Sequence, residues 1–290
     1  MISTKDLELS KLVRKSITVT PNTTLTKTRN ILLKNKIKRV VIIDKGKPIG
    51  IITEKDIARK IYKLGSKTIS SIKAKEFKSR KLFVLTKNDS VQECAKLMKR
   101  HRINSILIIN QKNGLLDGII TKTDLVTIFL TSNNLPSPPV IVSNIMTKKV
   151  IAVTPNDPIL FVETLLLKYG ISRIVVKRGQ KPIGIITFRD FVPAKIPQWI
   201  AESADPKEVQ EYKFEKGLKE ETYSNPMSYL FPFNAIDIMT PNPVTINKDK
   251  DVKSAILLMI KYNVGGLPVV RNSKLVGIIT KSDIVRILAK

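Results

Sequence analysis

A chain of 290 residues with 42% hydrophobic content has the length for about two domains and enough apolar side chains for packed cores, which excludes wholesale disorder. Its charge is far from balance, with 51 Lys and Arg against 24 Asp and Glu for a net +27, and this favours polyanionic partners. One cysteine, Cys94, and one histidine, His101, exclude an intrachain disulfide framework and any zinc site built on several Cys or His ligands.

In chain order, the first ten residues carry acidic side chains and no apolar centre, so no signal peptide is expected there. No run of about 18 apolar residues follows anywhere, so no membrane span is expected, and the expected compartment is the cytoplasm. Val19-Thr-Pro-Asn leads into a segment of helical apolar spacing, Val40–Ile43 reads as a strand, and Gly50-Ile-Ile-Thr-Glu-Lys-Asp-Ile57 as a second strand running into a helix. Leu85-Thr-Lys-Asn, the helical face Val91, Cys94, Ala95 and Met98, the strand Ile106–Ile109 and Gly118-Ile-Ile-Thr-Lys-Thr-Asp-Leu125 repeat that order. Cys94 then reads as a small core residue, and His101 as a cation at a helix end. The linker Ser132-Asn-Asn-Leu-Pro-Ser-Pro-Pro139 breaks both helix and sheet. Beyond it come Val153-Thr-Pro-Asn, Ile174–Val176 and Gly184-Ile-Ile-Thr-Phe-Arg-Asp-Phe191, then Thr245-Ile-Asn-Lys, Leu267–Val270 and Gly277-Ile-Ile-Thr-Lys-Ser-Asp-Ile284.

The chain is thus a fourfold repeat, and a repeat decides the architecture. The octet aspartates lie 68, 66 and 93 residues apart, and the excess in the last interval falls near residues 193–234. That stretch is acidic and holds Trp199, Tyr212, Phe214, Tyr223, Tyr229, Phe231 and Phe233; Glu208–Lys219 within it reads as a short charged helix behind the cap Asp205-Pro206. It reads either as a cover over a sheet edge or as a partner surface.

Four apolar strand pairs, each ending in Gly-x-x-Thr-x-x-Asp, with Ile145-Met-Thr147 and Ile238-Met-Thr240 opening the last two, resemble CBS domains, the modules named after cystathionine β-synthase. The resemblance implies an α/β (α+β) fold of four β-α-β-β-α repeats at 10–69, 76–134, 140–193 and 235–290, with an insertion at 194–234. It further implies that the repeats pair into two pseudo-twofold Bateman modules, an organisation similar to that of the gamma regulatory subunit of AMP-activated protein kinase.

Thr followed three residues later by an acid, ahead of an apolar run, is a capping box, which any helix could use without binding anything. Two features point beyond capping: all four copies use Asp where Glu or Gln would serve, and Gly before an Ile-Ile strand permits a close backbone approach. The family resemblance implies that Asp56, Asp124, Asp190 and Asp283 bond ribose hydroxyls of an adenosine ligand. It places Thr53, Thr121, Thr187 and Thr280 near the ribose or phosphate. Basic residues before the second strand, Lys38 and Arg39 in the first repeat and Arg173 in the third, would meet phosphate. The second and fourth repeats have Asn104-Ser105 and Gly265-Gly266 there, the glycines offering at most a nest of amides. Adenine would lie near the first strands, at Ile17-Thr18 and Ile151 and their counterparts Val84 and Val244.

The expected function is a non-catalytic regulatory sensor that binds AMP, ADP or ATP, or S-adenosylmethionine, in clefts between paired repeats and modulates an unknown regulated protein. No cofactor and no metal site are expected, and a homodimer is left open. Two other readings compete. One is a nucleic-acid-associated protein using the more basic first half, where Lys55–Lys81 holds ten basic residues, although only 12 of the 51 cations are Arg. The other is a structural scaffold with empty sites.

Overall fold

The computed structural model describes residues 8–62, 71–77, 82–131, 139–191 and 233–289. The expected helix at Glu208–Lys219, its cap, and most of the aromatic insertion and of the 132–139 linker lie outside them.

Each repeat builds a three-stranded sheet in the same way. A two-residue strand runs parallel to the second strand, which forms an antiparallel hairpin with the third. In the first repeat these are β1 (Thr18–Val19), β2 (Arg39–Asp44) and β3 (Lys47–Thr53), with helix α1 (Leu25–Lys34) crossing between β1 and β2 and α2 (Glu54–Tyr62) leaving β3. The second repeat has β4 (Val84–Leu85), α3 (Val91–Arg100), β5 (Ser105–Ile109), β6 (Leu116–Thr121) and α4 (Lys122–Thr131). After the short helix α5 (Val142–Ile145), the third has β7 (Ala152–Val153), α6 (Ile159–Lys168), β8 (Arg173–Arg178) and β9 (Lys181–Thr187). After α7 (Ala235–Ile238) and β10 (Thr240–Pro241), the fourth has β11 (Ile246–Asn247), α8 (Val252–Lys261), β12 (Gly266–Arg271), β13 (Lys274–Thr280) and α9 (Lys281–Leu288). The third octet departs from the expected helix: its described continuation, Phe188–Phe191, is a 3-10 turn.

Local chemistry explains the shared geometry. The side chains of Thr24, Ser90 and Asp251 cap α1, α3 and α8 by accepting backbone N–H bonds of 3.2, 3.1 and 2.6 Å. These helices and α6 end in a left-handed residue, Lys36, Arg102, Gly170 or Asn263, which turns the chain into the second strand. Lys45-Gly46 and Asn272-Ser273 take positive φ at both turn positions, the twist a two-residue hairpin requires.

The repeats are stitched in pairs by an exchange of segments. The chain ahead of each repeat lies on the sheet of its partner. Arg14 pairs with Ile119 through two backbone bonds of 3.0 and 2.9 Å, and Thr147 pairs with Ile278 through two of 2.9 Å. In the other direction Ala74 donates to the Thr23 carbonyl (2.8 Å), and β10 pairs antiparallel with β9. The octet glycine serves this exchange. A Cβ on Gly118 would stand 2.5 Å from the Arg14 carbonyl oxygen, and Cβ atoms on Gly184 and Gly277 would strike Met239 and Met146. Packing therefore requires the small residue that the sequence alone left to a ligand.

The pairs are first with second and third with fourth. Val41, Leu107 and Ile119 form a core between the first two sheets, and the Leu116 amide donates to the Gly46 carbonyl (3.0 Å). Leu275 and Gln180 make the matching bond (2.8 Å) in the other pair. Between pairs the helices pack: Cys94, Met98, Leu125 and Phe129 share one core with Ile256, Met259, Ile284 and Leu288. Ala58 joins the core of the third repeat, and Leu160 packs on that of the first. The second repeat thus faces the fourth, and the first faces the third.

Candidate functional site

The hairpin register sets what stands beside each octet threonine. Arg39 pairs with Thr53, Ser105 with Thr121, Arg173 with Thr187 and Gly266 with Thr280. The residue one step earlier is tied to the helix start, since the amides of Glu54, Lys122 and Lys281 donate to the carbonyls of Lys38, Asn104 and Gly265 at 3.1–3.2 Å. A pre-strand cation, a threonine and an aspartate are thereby gathered at one helix N-terminus in the first repeat, and the same three residue types meet at the 3-10 turn of the third.

All four Thr–Asp pairs form closed caps. One oxygen, Oδ2, accepts both the backbone amide and the hydroxyl of the threonine: 2.9 and 2.5 Å for Asp56, 2.8 and 2.7 Å for Asp124, 2.7 and 2.8 Å for Asp190, and 2.7 and 2.6 Å for Asp283. Double use of a single oxygen leaves Oδ1 with a separate environment in each repeat. In Asp124 it lies 3.5 Å from Nε of the exposed Arg14, and in Asp283 it bonds Arg286, whose guanidinium also reaches the Ile145 carbonyl.

The cations form one field drawn from all four repeats. Burial lowers the Lys38 pKa to about 8, helped by Arg173, Lys281 and Arg189 and opposed by Glu54. Lys122 and Lys281 fall to about 8, first through burial; repulsion by Arg39 and then Arg173 adds to it at Lys122 against Asp283, and repulsion by Arg173 adds to it at Lys281 against Asp124. Burial takes Arg39 and Arg173 down to about 10; Glu54 and Asp124 oppose the fall in Arg39, and Asp283 opposes it in Arg173. The two arginines therefore feel the aspartates of the partner repeats. Arg173 lies against the fourth repeat, where a Cβ on Gly265 would stand 2.5 Å from its Nη2. The Gly265-Gly266 pair gives room to a cation from the third repeat, which corrects its reading as a bare amide nest.

The two octet positions between Thr and Asp, which look freely variable in sequence, make the contacts between modules. Arg189 donates to Glu54 at 2.5 Å and to the Ile37 carbonyl at 3.2 Å, and the Lys55 ammonium stands 5.3 Å from the Phe188 ring centroid. Across the other seam Lys122 donates to the Ser282 hydroxyl and Lys281 to the Thr123 hydroxyl, each at 2.9 Å. The signal was present as a pairing: the same two positions carry complementary types in the first and third copies, and Lys followed by a hydroxyl in the second and fourth.

Near the expected adenine positions, the Ile17 carbonyl accepts from the Val41 amide (3.1 Å), with its side chain half exposed, as is that of Val84. Thr18 pairs with Val41, and Ile151 packs on the core of the third repeat. Cys94 is buried, and burial pushes its thiol up to about 12, which suits a packing residue. Most of the basic run Lys55–Lys81 lies outside the described residues or has undescribed side chains. Among the described residues no group of His, Cys, Asp and Glu could hold a metal, and no helix is long and apolar enough to cross a membrane.

The model of the CBS domain family matches residues 6–63, 74–131, 142–196 and 235–290. An uncharacterized protein of Methanocaldococcus jannaschii, MJ1225, is 22% identical over 95% of this chain and 96% of its own. Its crystal structure, described as that of a candidate archaeal homologue of g-AMPK, superposes with a TM-score of 0.78 over 98% of this chain and all of that one. A second uncharacterized protein of the same organism, MJ1404, is 27% identical over 94% of this chain, which spans 59% of that relative. A conserved protein of Pyrococcus horikoshii, 18% identical, superposes with a TM-score of 0.60 over 97% of this chain and all of that one.

Proposed function

Because the chain belongs to the CBS domain family, with four repeats, we propose that it is a non-catalytic sensor of adenine nucleotides whose binding changes how the two modules pack and so alters a partner protein. The observation that carries this reading is the convergence of Lys38, Arg39, Lys122, Arg173 and Lys281, drawn from all four repeats, beside Glu54, Asp124 and Asp283. Like charges that outnumber the carboxylates beside them, with Lys281 buried and Arg39, Lys122 and Arg173 partly so, are costly to hold together, and phosphate would compensate them. In this reading the aspartate Oδ1 atoms and the half-exposed Ile17 and Val84 bind ribose and adenine, while the cations bind phosphate. A ligand can shift module packing only by its differential affinity for the two arrangements, and residues from both modules line the cation field, which supplies such a difference.

A second reading, a scaffold with empty sites, is favoured by the closed Thr–Asp caps, which need no ligand. Thermal unfolding of ligand-free protein with AMP, ADP, ATP or S-adenosylmethionine, against a GTP control, separates the two. At a hundred times its dissociation constant a ligand adds about 2.7 kcal/mol of stability, a visible shift. Asp56→Glu and Asp190→Glu should keep the caps yet weaken binding by about tenfold or more, the scale of a charge-assisted hydrogen bond. No shift with any adenosine compound at millimolar concentration supports the scaffold.

A further inference from the structure

The two seams between modules are built alike and charged differently. In the seam between the first and third repeats, the cation Arg189 meets the carboxylate Glu54 and Lys55 lies over an aromatic ring, so charge is largely answered within the seam. In the seam between the second and fourth repeats, Lys122 and Lys281 open α4 and α9, cross over, and find only the hydroxyls of Ser282 and Thr123. Neither lysine has an ion-pair partner among the described residues, and Lys281 is only 9% exposed. The apolar core shared by α3, α4, α8 and α9 holds these positive helix N-termini together despite their repulsion. A third cation is present and incompletely satisfied: Arg173, which both lysines feel, has a buried Nη1 with no hydrogen-bond partner among the described residues.

We propose that this seam is an anion site that takes one oligophosphate group, a diphosphate or triphosphate, held jointly by Lys122 and Lys281 between the N-termini of α4 and α9 and completed by Arg173. Each lysine is delivered to the opposite repeat, so a phosphate chain entering from the second cleft uses the lysine of the fourth, and the reverse. The second and fourth clefts share one phosphate seat, and two phosphate-bearing ligands compete for it. The inference rests on the nucleotide reading for the identity of the natural anion, but not for the existence of the site.

Inorganic tripolyphosphate, which has no adenine or ribose, is the probe. Titration calorimetry of the full chain at low ionic strength should show one saturable site. Lys122→Gln and Lys281→Gln should each weaken it tenfold or more, while Lys55→Gln in the other seam leaves it unchanged. Thermal melting of each variant verifies folding, and Lys122→Arg should restore most of the binding if charge is what matters. Affinity should fall as pH rises through the range in which the bound lysines lose their protons. The charged groups facing this pair are Lys38, Arg39, Arg173, Asp124 and Asp283; Lys38 titrates in the same range, at about 8, and the two arginines above it, at about 10. Absence of saturable tripolyphosphate binding, unchanged affinity in both glutamine variants, or equal weakening by Lys55→Gln would overturn the site. If tripolyphosphate binds as expected while no adenosine compound does, the anion site stands and the nucleotide reading fails. Nucleotide binding indifferent to Lys122→Gln and Lys281→Gln has the opposite meaning: the nucleotide reading stands and the shared phosphate seat fails.

Discussion

Glu163 offers a direct test of the packing of the third repeat. It lies on α6 with Ile159, Val162 and Leu166, is 1% exposed, and neither carboxylate oxygen has a hydrogen-bond partner among the described residues. Burial alone pushes its pKa up to about 7 from an ordinary 4.5. A raised carboxyl pKa means that the folded state holds its proton more tightly than the unfolded chain, so stability falls as pH rises from 4.5 to 7 and stays lowered above that. At about 1.36 kcal/mol per unit, the gap amounts to about 3 kcal/mol. Glu163→Met keeps the length of the side chain and removes the charge. The variant should be more stable than the parent by about 3 kcal/mol at pH 8, nearly equal to it near pH 4, and free of this slope in between. Urea unfolding across that pH range measures it. A methionine variant less stable at pH 8, or identical pH slopes in the two chains, would refute the reasoning, because either result requires a partner for the carboxylate.

Arg189→Met removes the cation from Glu54, whose pKa is already raised because burial outweighs the ion pair. The loss should reach about 1.5–3 kcal/mol near pH 8, the value of a hydrogen bond to a charged group, and shrink toward pH 4 as Glu54 takes up a proton; a pH-independent loss in unfolding experiments counts against the pair. The octet glycines should differ among themselves. Gly118→Ala meets the Arg14 backbone at 2.5 Å and should cost about 1–3 kcal/mol, whereas Gly277→Ala meets the flexible end of Met146 and should cost less, an order that thermal unfolding of the two variants would check.

The repeat architecture was legible because each copy carries its own local instructions: β-branched runs, turn residues and helix caps lie within a few positions of one another. The face Val91, Cys94, Ala95 and Met98 is buried as its spacing predicts. The placement of Arg39 and Arg173 beside an octet threonine could likewise be anticipated from the length of the hairpin. Two kinds of feature could not. Arg14 joins a strand more than a hundred residues away, and an isolated bridge of two backbone bonds leaves no periodic trace in side-chain types. The seam contacts couple positions such as Glu54 and Arg189 across modules, and within a single copy they look like solvent-facing charge. The third octet differs within its described residues for a local reason: its threonine and aspartate make the same cap as the others, and a cap fixes where a turn starts but not whether that turn is α or 3-10.

The octet therefore does several jobs with eight residues, and separating them isolates what asks for aspartate. Glycine admits the segment exchanged from the partner repeat, the two middle positions form the seam, and threonine with an acid closes the cap. None of these needs Asp over Glu. The caps show what Asp adds: its short side chain satisfies amide and hydroxyl with Oδ2 alone, which leaves Oδ1 to a cation in Asp124 and Asp283. Glutamate would carry its carboxylate one methylene further and lose that division of labour. The four clefts then differ by what meets the second oxygen. Arg286 holds it in the fourth, Arg14 approaches it in the second, and Asp56 has no partner there among the described residues. A sugar hydroxyl entering the fourth cleft would have to share or displace Arg286. Equal caps thus leave unequal second oxygens, and the difference between the second and fourth repeats comes from arginines outside the octet.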